Sequence, residues 1–591
     1  MKKTLFLCAL CVAFCGQAFG TVVSGTDVTL GADTAFTPAS TTDYVYTDLT
    51  IGTAGVSKVI GNGEMFHLYA DGLSGSGNVT ISRNHSGFNP AVIWLDGDCS
   101  GYTGTINLAA YVDRGDNVRL GLGGTNGDLD LSKATLSMTR GVLYMNQNAT
   151  VKALTLNNTV VSSTSYTDSL PVITDPASTA AFANLQYAIT TGTDARTLSV
   201  GSLTLSNTTI GKGITINLTN GGSIGTGNTI NGNLKVTKGT LTLNNNTTTY
   251  GSDSIITAAR GTKIDIGSGS TQTISAVELQ ENSELHVRLN CTVGSAASRT
   301  AISMANGSVI TLWSGKVYGD ITIDQSTTIR GSQKGDGGWV GGTISGNGTL
   351  TLGTDSNGNS NVWEVASSVS DKAEGMLALV MDSKSVVTLS GANTYSGGTT
   401  IKQSKLKLAS ETALGAGDVN VMAGDGLCFA DTLSHATIGG ALTLNSGVTI
   451  TLNEAHNGTL TTNGLTLDGD ATFNGNLVVK GGELDFTSGG TLTMGCDVTI
   501  GNDEDSIVTV VLTQDMVESI KQGDYVAIIR NVNIATLGSH IEFRGADFEL
   551  ERPNVYELKQ SGDKIYITPE PATATLSLLA LAGLAARRRR H

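Results

Sequence analysis

Short segments of the form apolar–polar–apolar, separated by glycine-rich turns, constrain this chain more than any other feature. Leu203-Thr204-Leu205, Ile214-Thr215-Ile216, Leu234-Lys235-Val236 and Leu241-Thr242-Leu243 follow one another closely. The same spelling returns in Leu442-Thr443-Leu444, Val448-Thr449-Ile450, Leu465-Thr466-Leu467, Leu484-Asp485-Phe486 and Leu492-Thr493-Met494. Residues two apart share one side of a strand, so each segment buries its outer pair and turns its middle residue outward. Gly-Gly, Asn-Gly, Asp-Gly and Ser-Gly pairs supply the tight corners between them.

Strands this short bury little alone and must stack on their neighbours. A parallel β-solenoid of roughly 20–25 residues per coil does this, each coil covering the one before. A β-sandwich would close near ~100–150 residues and draw on more aromatic core than the 5% present here, although a tandem of sandwiches is the competing architecture. The expected fold is therefore all-β, with a solenoid over 21–500. A small β cap is expected over 501–568, with strands at Ile507–Leu512, Tyr525–Arg530 and Lys564–Ile567. Helical spacing of apolar residues is scarce; Ser178–Ile189, Asp371–Met381 and Thr513–Gln522 are the local exceptions, read as short helices or insertions.

Between 344 and 421 one stretch is more particular. It runs Leu389-Ser390-Gly391-Ala392-Asn393-Thr394-Tyr395-Ser396-Gly397-Gly398-Thr399-Thr400-Ile401, then Leu406-Lys407-Leu408 and Ala413-Leu414-Gly415. This closely resembles the autotransporter-associated β-strand repeat, with Ile344–Leu352 fitting the strand that precedes such a repeat. A degraded echo lies at Leu73–Ile81 with Ser100–Ile106. The resemblance implies a right-handed parallel β-helix, of the kind used as the passenger of secreted surface proteins. Autotransporters end in a membrane β-barrel, whereas here only 501–568 separates the solenoid from a quite different tail.

Both ends of the chain read as addresses. Lys2 and Lys3 precede the apolar stretch Thr4–Phe14, and Ala18-Phe19-Gly20 offers small residues for signal cleavage at Ala18 and Gly20. At the other end Pro569-Glu570-Pro571 leads into the apolar run Ala572–Ala586 and then Arg587, Arg588, Arg589 and Arg590. That run falls short of the roughly 20 residues that span a bilayer comfortably, and the arginines would hold its end on the cytoplasmic side. Pro-Glu-Pro, short apolar helix and arginine cluster resemble the PEP-CTERM sorting tail of Gram-negative bacteria. The resemblance implies a transient inner-membrane anchor, a membrane-embedded sorting enzyme as partner beside the export machinery, and delivery to the outer surface or matrix. It supplies an address and no activity.

The formal net charge of −15 becomes more negative once the basic ends are set aside, which disfavours nucleic acid and anionic lipid as partners. Cys8, Cys11 and Cys15 fall in the leader. Cys99, Cys291, Cys428 and Cys496 could form up to two disulfides in an exported chain, with no pairing readable from spacing.

Enzymes built on β-helices need converging carboxylates. Alternation places Asp96 with Asp98, Asp128 with Asp130, and Asp468 with Asp470 on common strand faces, though solvated turns account equally for such pairs. Asn502-Asp503-Glu504-Asp505 is oxygen-rich without a calcium-loop pattern. Gly221-Gly222-Ser223-Ile224-Gly225 spells a nucleophile elbow in the wrong context, with no helix to follow. His67, His85, His286, His435, His456 and His540 show no metal spacing. Trp94, Trp313, Trp339 and Trp363 would stack sugars only if they shared a face, and otherwise plug the core. Outward threonine ranks on a flat face could contact ice or polysaccharide, or could simply suit strand geometry.

The sequence thus points to an exported surface or matrix protein that is structural or adhesive, with no catalytic, metal or cofactor site assigned. Extracellular polysaccharide or host-surface glycans are its expected partners. A polysaccharide-active lyase or hydrolase is the alternative, and a carbohydrate- or ice-binding module the third reading.

Overall fold

The computed structural model describes residues 21–569, apart from 35–41, 86–90, 112–117, 124–126, 164–194, 332–337, 355–362, 523–525, 551–555 and isolated positions or pairs between them. The chain forms two compact units, one of residues up to 310 with 315–319, the other of 311–314 with residues from 320 on. Both are parallel β-solenoids, and their regular structure is almost all strand, with one short helix among the described residues.

In the first unit Leu205, Ile224, Leu243, Ile266 and Val287 occupy one register position on successive coils. Ile216, Leu234, Ile256, Val277 and Ile302 do the same on a second sheet. All ten are buried, so the core is a set of stacked aliphatic ranks. Side-chain hydrogen bonds between neighbouring coils join residues 20, 22 and 21 apart, at Thr208–Asn228, Asn233–Ile255 and Thr257–Glu278. The coil length inferred from the spacing of apolar segments matches these separations.

Corners repeat as well. Thr262 and Ser283 each turn a hydroxyl back onto the carbonyl three residues earlier, at 2.8 and 2.7 Å. The residue before each, Gly261 and Asn282, is left-handed at φ 71° and 55°, as is Gly307 one coil on, before the buried Ser308. Glycine and asparagine tolerate that backbone, and the hydroxyl adds a second hydrogen bond to a carbonyl that already accepts from the same residue's amide.

In the second unit Leu352, Met381, Ile401, Val421, Leu444 and Leu467 form the equivalent inward rank. The stretch resembling the autotransporter repeat packs around Tyr395, which is fully buried, its Oη 2.6 Å from Thr399 Oγ1. Tyr102, in the weaker echo within the first unit, is likewise buried and donates to the Gly77 carbonyl at 2.8 Å.

Parallel stacking continues past residue 500: Val508–Leu512 lies between Gly482–Asp485 and Ile541–Gly545. The cap proper is antiparallel, with Tyr556–Ser561 pairing Lys564–Pro569, which in turn pairs Val526–Arg530. The helix expected at Thr513–Gln522 is present as Gln514–Lys521, capped by Thr513 Oγ1 accepting from the Met516 amide at 3.2 Å. A helix over Asp371–Met381 is not: Leu377–Asp382 is a strand whose residues alternate buried and half-buried. Leu377, Leu379 and Met381 stack on Gly348, Leu350 and Leu352, and that burial overrides the local helical spacing. Ser178–Ile189 lies outside the described residues.

Candidate functional site

Four successive coils of the first unit build a flat outer face from small uncharged residues. Strand Thr105–Ala109 turns out Thr105, Asn107 and Ala109, and Leu129–Met145 presents Thr135, Ser137 and Thr139 beside them. Ala149–Ser162 adds Ala153, Thr155 and Asn157, and Arg196–Ser206 adds Ser202, Thr204 and Ser206. The intervening Ile106, Leu108, Leu136, Met138, Leu154, Leu156, Leu203 and Leu205 are buried in the core, which fixes the direction of their neighbours.

The central rank is longer than the face. Ser57, Thr80, Asn107, Ser137, Thr155, Thr204, Ser223 and Thr242 occupy one register position on eight successive coils. Its hydroxyl and amide groups recur about every 4.8 Å along the stack, with flanking ranks about 6.6 Å to either side. Ser206 Oγ donates to Asn157 Oδ1 at 3.2 Å within the face. Such a surface offers donors and acceptors without net charge, in a chain whose formal charge is −15. Ser223, the residue of the elbow-like spelling, is simply one member of this rank.

The rank ends in charge. Asp265 follows Thr242, and His286 follows Asp265. Arg288 clamps the Asp265 carboxylate through Nε at 3.0 Å and Nη2 at 2.5 Å, while His286 Nδ1 lies 3.2 Å from Oδ1. Burial alone would raise the pKa of Asp265, but hydrogen bonds from His286 and Arg288 outweigh it and hold it at about 2. The paired aspartate was not singled out by sequence, because Asp265, His286 and Arg288 meet only through coil register.

Turns separate two of the carboxylate pairs that alternation placed on common strand faces, while Asp128 and Asp130 are both exposed on either side of buried Leu129. Gly97, at φ 68°, turns the chain between Asp96 and Asp98, leaving Asp96 buried against the Gly97 amide and Asp98 exposed. Asp98 Oδ1 instead accepts from the Ser100 hydroxyl and amide, which lowers its pKa. Gly469 separates Asp468 from Asp470 in the same way, and Asp470 accepts from the Thr491 amide at 2.8 Å. Asp128 precedes its strand and accepts from Asn148 Nδ2, while Asp130 accepts from the Ser132 amide. Asp96, Asp98 and Asp130 therefore serve their own turns, whereas Asp128 and Asp470 reach the next coil, 20 and 21 residues on.

Burial removes one tryptophan from any stacking platform. Trp363 is fully buried, whereas Trp94, Trp313 and Trp339 are half-buried at separate positions. Trp94 lies flat against Gly121 on the next coil and Trp339 against Gly341, where any Cβ would collide with the indole. His435 meets Glu411 at 3.1 Å on the surface, His85 is exposed and His540 half-buried, and His67 lies in strand Phe66–Gly75. His456 and Asp503 lie outside the described residues. Among the described residues no group of three or more His, Cys, Asp or Glu is placed to hold a metal. Cys99, Cys291, Cys428 and Cys496 are in no disulfide. Of the two addresses, only Pro569 is described, ending the last strand; Ala18, Gly20, Glu570, Pro571 and Arg587–Arg590 lie outside. No described helix is long and apolar enough to cross a membrane.

No family model, no curated protein and no solved structure matches this chain. Its function must therefore be argued from its own faces.

Proposed function

We propose that this chain is an exported structural or adhesive solenoid of the bacterial surface or matrix, and that its neutral hydroxyl face contacts uncharged polysaccharide. The observation that carries this is the alignment of small hydroxyl and amide residues at three adjacent register positions on four coils, save two alanines. Sugar hydroxyls both donate and accept, so a repeating array of Thr, Ser and Asn can meet many of them weakly at once. Bulk or charge would interrupt that contact, and neither occurs on the face. Thr is also a good strand former, which accounts for single positions and not for the lack of charge across three ranks.

The leader and the tail with Pro569, Glu570, Pro571 and Arg587–Arg590 supply the address in this reading. Export machinery and a membrane-embedded sorting enzyme are the transient partners.

Co-sedimentation with insoluble neutral glucan and chitin tests the proposal. The native chain is expected in the pellet, and the double variant Thr155→Lys/Thr204→Lys at least tenfold less so. Equal retention of both, or none of either, would sink the assignment of this face. Release of new reducing ends during the incubation would instead establish the hydrolase alternative.

A further inference from the structure

The second unit carries an aromatic surface beside a polar edge. Trp339 and Gly341 hold outward positions on either side of Val340, which is fully buried. The half-buried indole folds across Gly341, where a Cβ would collide with Cζ2, Cζ3 and Cη2 of the ring. One face of the indole is therefore seated on the strand, and the other turns away from the sheet. Glu364 is the register partner of Trp339 on the next coil, and Thr388 and Lys407 continue that rank on the two coils after. Ser390 Oγ donates to Glu364 Oε1. Beside this edge Ala366, Ser390 and Ala409 follow Gly341 on successive coils, their amides donating in turn to the Val340, Val365 and Leu389 carbonyls. An indole thus stands at the head of a floor of small residues, with a carboxylate one coil, about 4.8 Å, along the stack.

We propose that this is a pyranose-binding site, with one sugar ring of a neutral polysaccharide stacked on Trp339. It rests on the function proposed above for the class of polymer and adds a second place of contact, on different residues. A pyranose presents a face of C–H groups and a rim of hydroxyls. The indole takes the C–H face, and the Glu364 carboxylate accepts from the rim. Ser390 fixes that carboxylate from the following coil. Ala366 leaves the floor low where a longer side chain would lift the sugar off the ring. Thr388 and Lys407 extend the polar edge to further hydroxyls along the polymer. Unlike the broad hydroxyl face, this contact needs only one or two sugar rings, so it recognises short soluble fragments as well as a surface.

Isothermal titration of the full chain with soluble cellohexaose and chitohexaose tests the site. The native chain is expected to bind at least one of them, and Trp339→Ala to weaken that binding at least tenfold. Glu364→Ala should weaken it at least fivefold. Gly341→Ala keeps both groups and lifts the indole from its seat, so it too should weaken binding at least fivefold. This last variant carries the test if a fallen melting temperature shows that Trp339→Ala unfolds the coil. Binding that survives Trp339→Ala in a folded chain, or is unchanged in Gly341→Ala, overturns the proposal. Absence of binding by the native chain does the same. Sedimentation of the Thr155/Thr204 variant is read on other residues and an insoluble polymer, so either assignment can fail alone.

Discussion

Asn393 donates from Nδ2 to the carbonyl of Ala413 at 2.6 Å, tying one coil to the next. Its Oδ1 accepts from the Val369 amide on the coil before, at 2.9 Å, and the side chain is buried. Asn393→Ala leaves both backbone groups unpaired, at about 1–3 kcal/mol for each. Because such arrays open locally, the expected result is faster hydrogen exchange at the Val369 amide with little change in the first unit. Unaltered exchange there would contradict the bridging role.

Tyr395 allows two effects to be separated. Tyr395→Phe removes only the Oη–Thr399 hydrogen bond and should cost about 1 kcal/mol, whereas Tyr395→Ala empties a core site and should cost about 3–5 kcal/mol. Urea titration of the two variants checks the order. Equal losses would mean that the ring contributes nothing beyond its hydroxyl.

Asp265 predicts a particular acid response. Its folded pKa, about 2, lies below the ordinary carboxyl value, so its ion pairs stabilise the fold at neutral pH. That contribution is complete above about pH 4 and disappears as pH falls toward about 2. Asp265→Asn should therefore lower the melting temperature at pH 7 and bring it toward the native value by pH 2. A constant difference across that window would show that the carboxylate charge is not involved.

Cys99 should be silent toward alkylation. Burial, with the fields of Asp98, Asp96 and Asp71 adding to it, pushes the thiol up to about 12. Iodoacetamide at pH 8 is expected to label it only after denaturation, as mass spectrometry of the peptide would reveal.

Much of the fold is legible because apolar alternation at Leu203–Leu205 or Leu465–Leu467 needs no tertiary information to be recognised. Asp371–Met381 is where that reading failed: Met376, Leu377 and Val380 satisfy helical spacing, while Leu377, Leu379 and Met381 satisfy strand spacing equally well. Only the coil beneath decides. The candidate face was less legible still. Thr155 and Thr204 stand side by side although 164–194 lies between them in sequence, and alternation alone cannot state which coil follows which. Corner residues mislead in the opposite way, since Gly97 and Gly469 interrupt an alternation that looks continuous on paper.

The corner hydroxyls at Thr262 and Ser283 have a consequence for how such a chain can change over generations. Each closes a turn on a carbonyl three residues back in its own coil, Thr262 also reaching the Val236 carbonyl of the coil before, so one coil carries the whole of its corner and meets its neighbour in a repeating way. Duplicating one whole coil would lengthen the outer ranks and leave every neighbour in step. Gaining a single residue within a strand would invert its inner and outer sides at once. A lineage that needed a longer contact surface could reach it by copying, without inventing a new core.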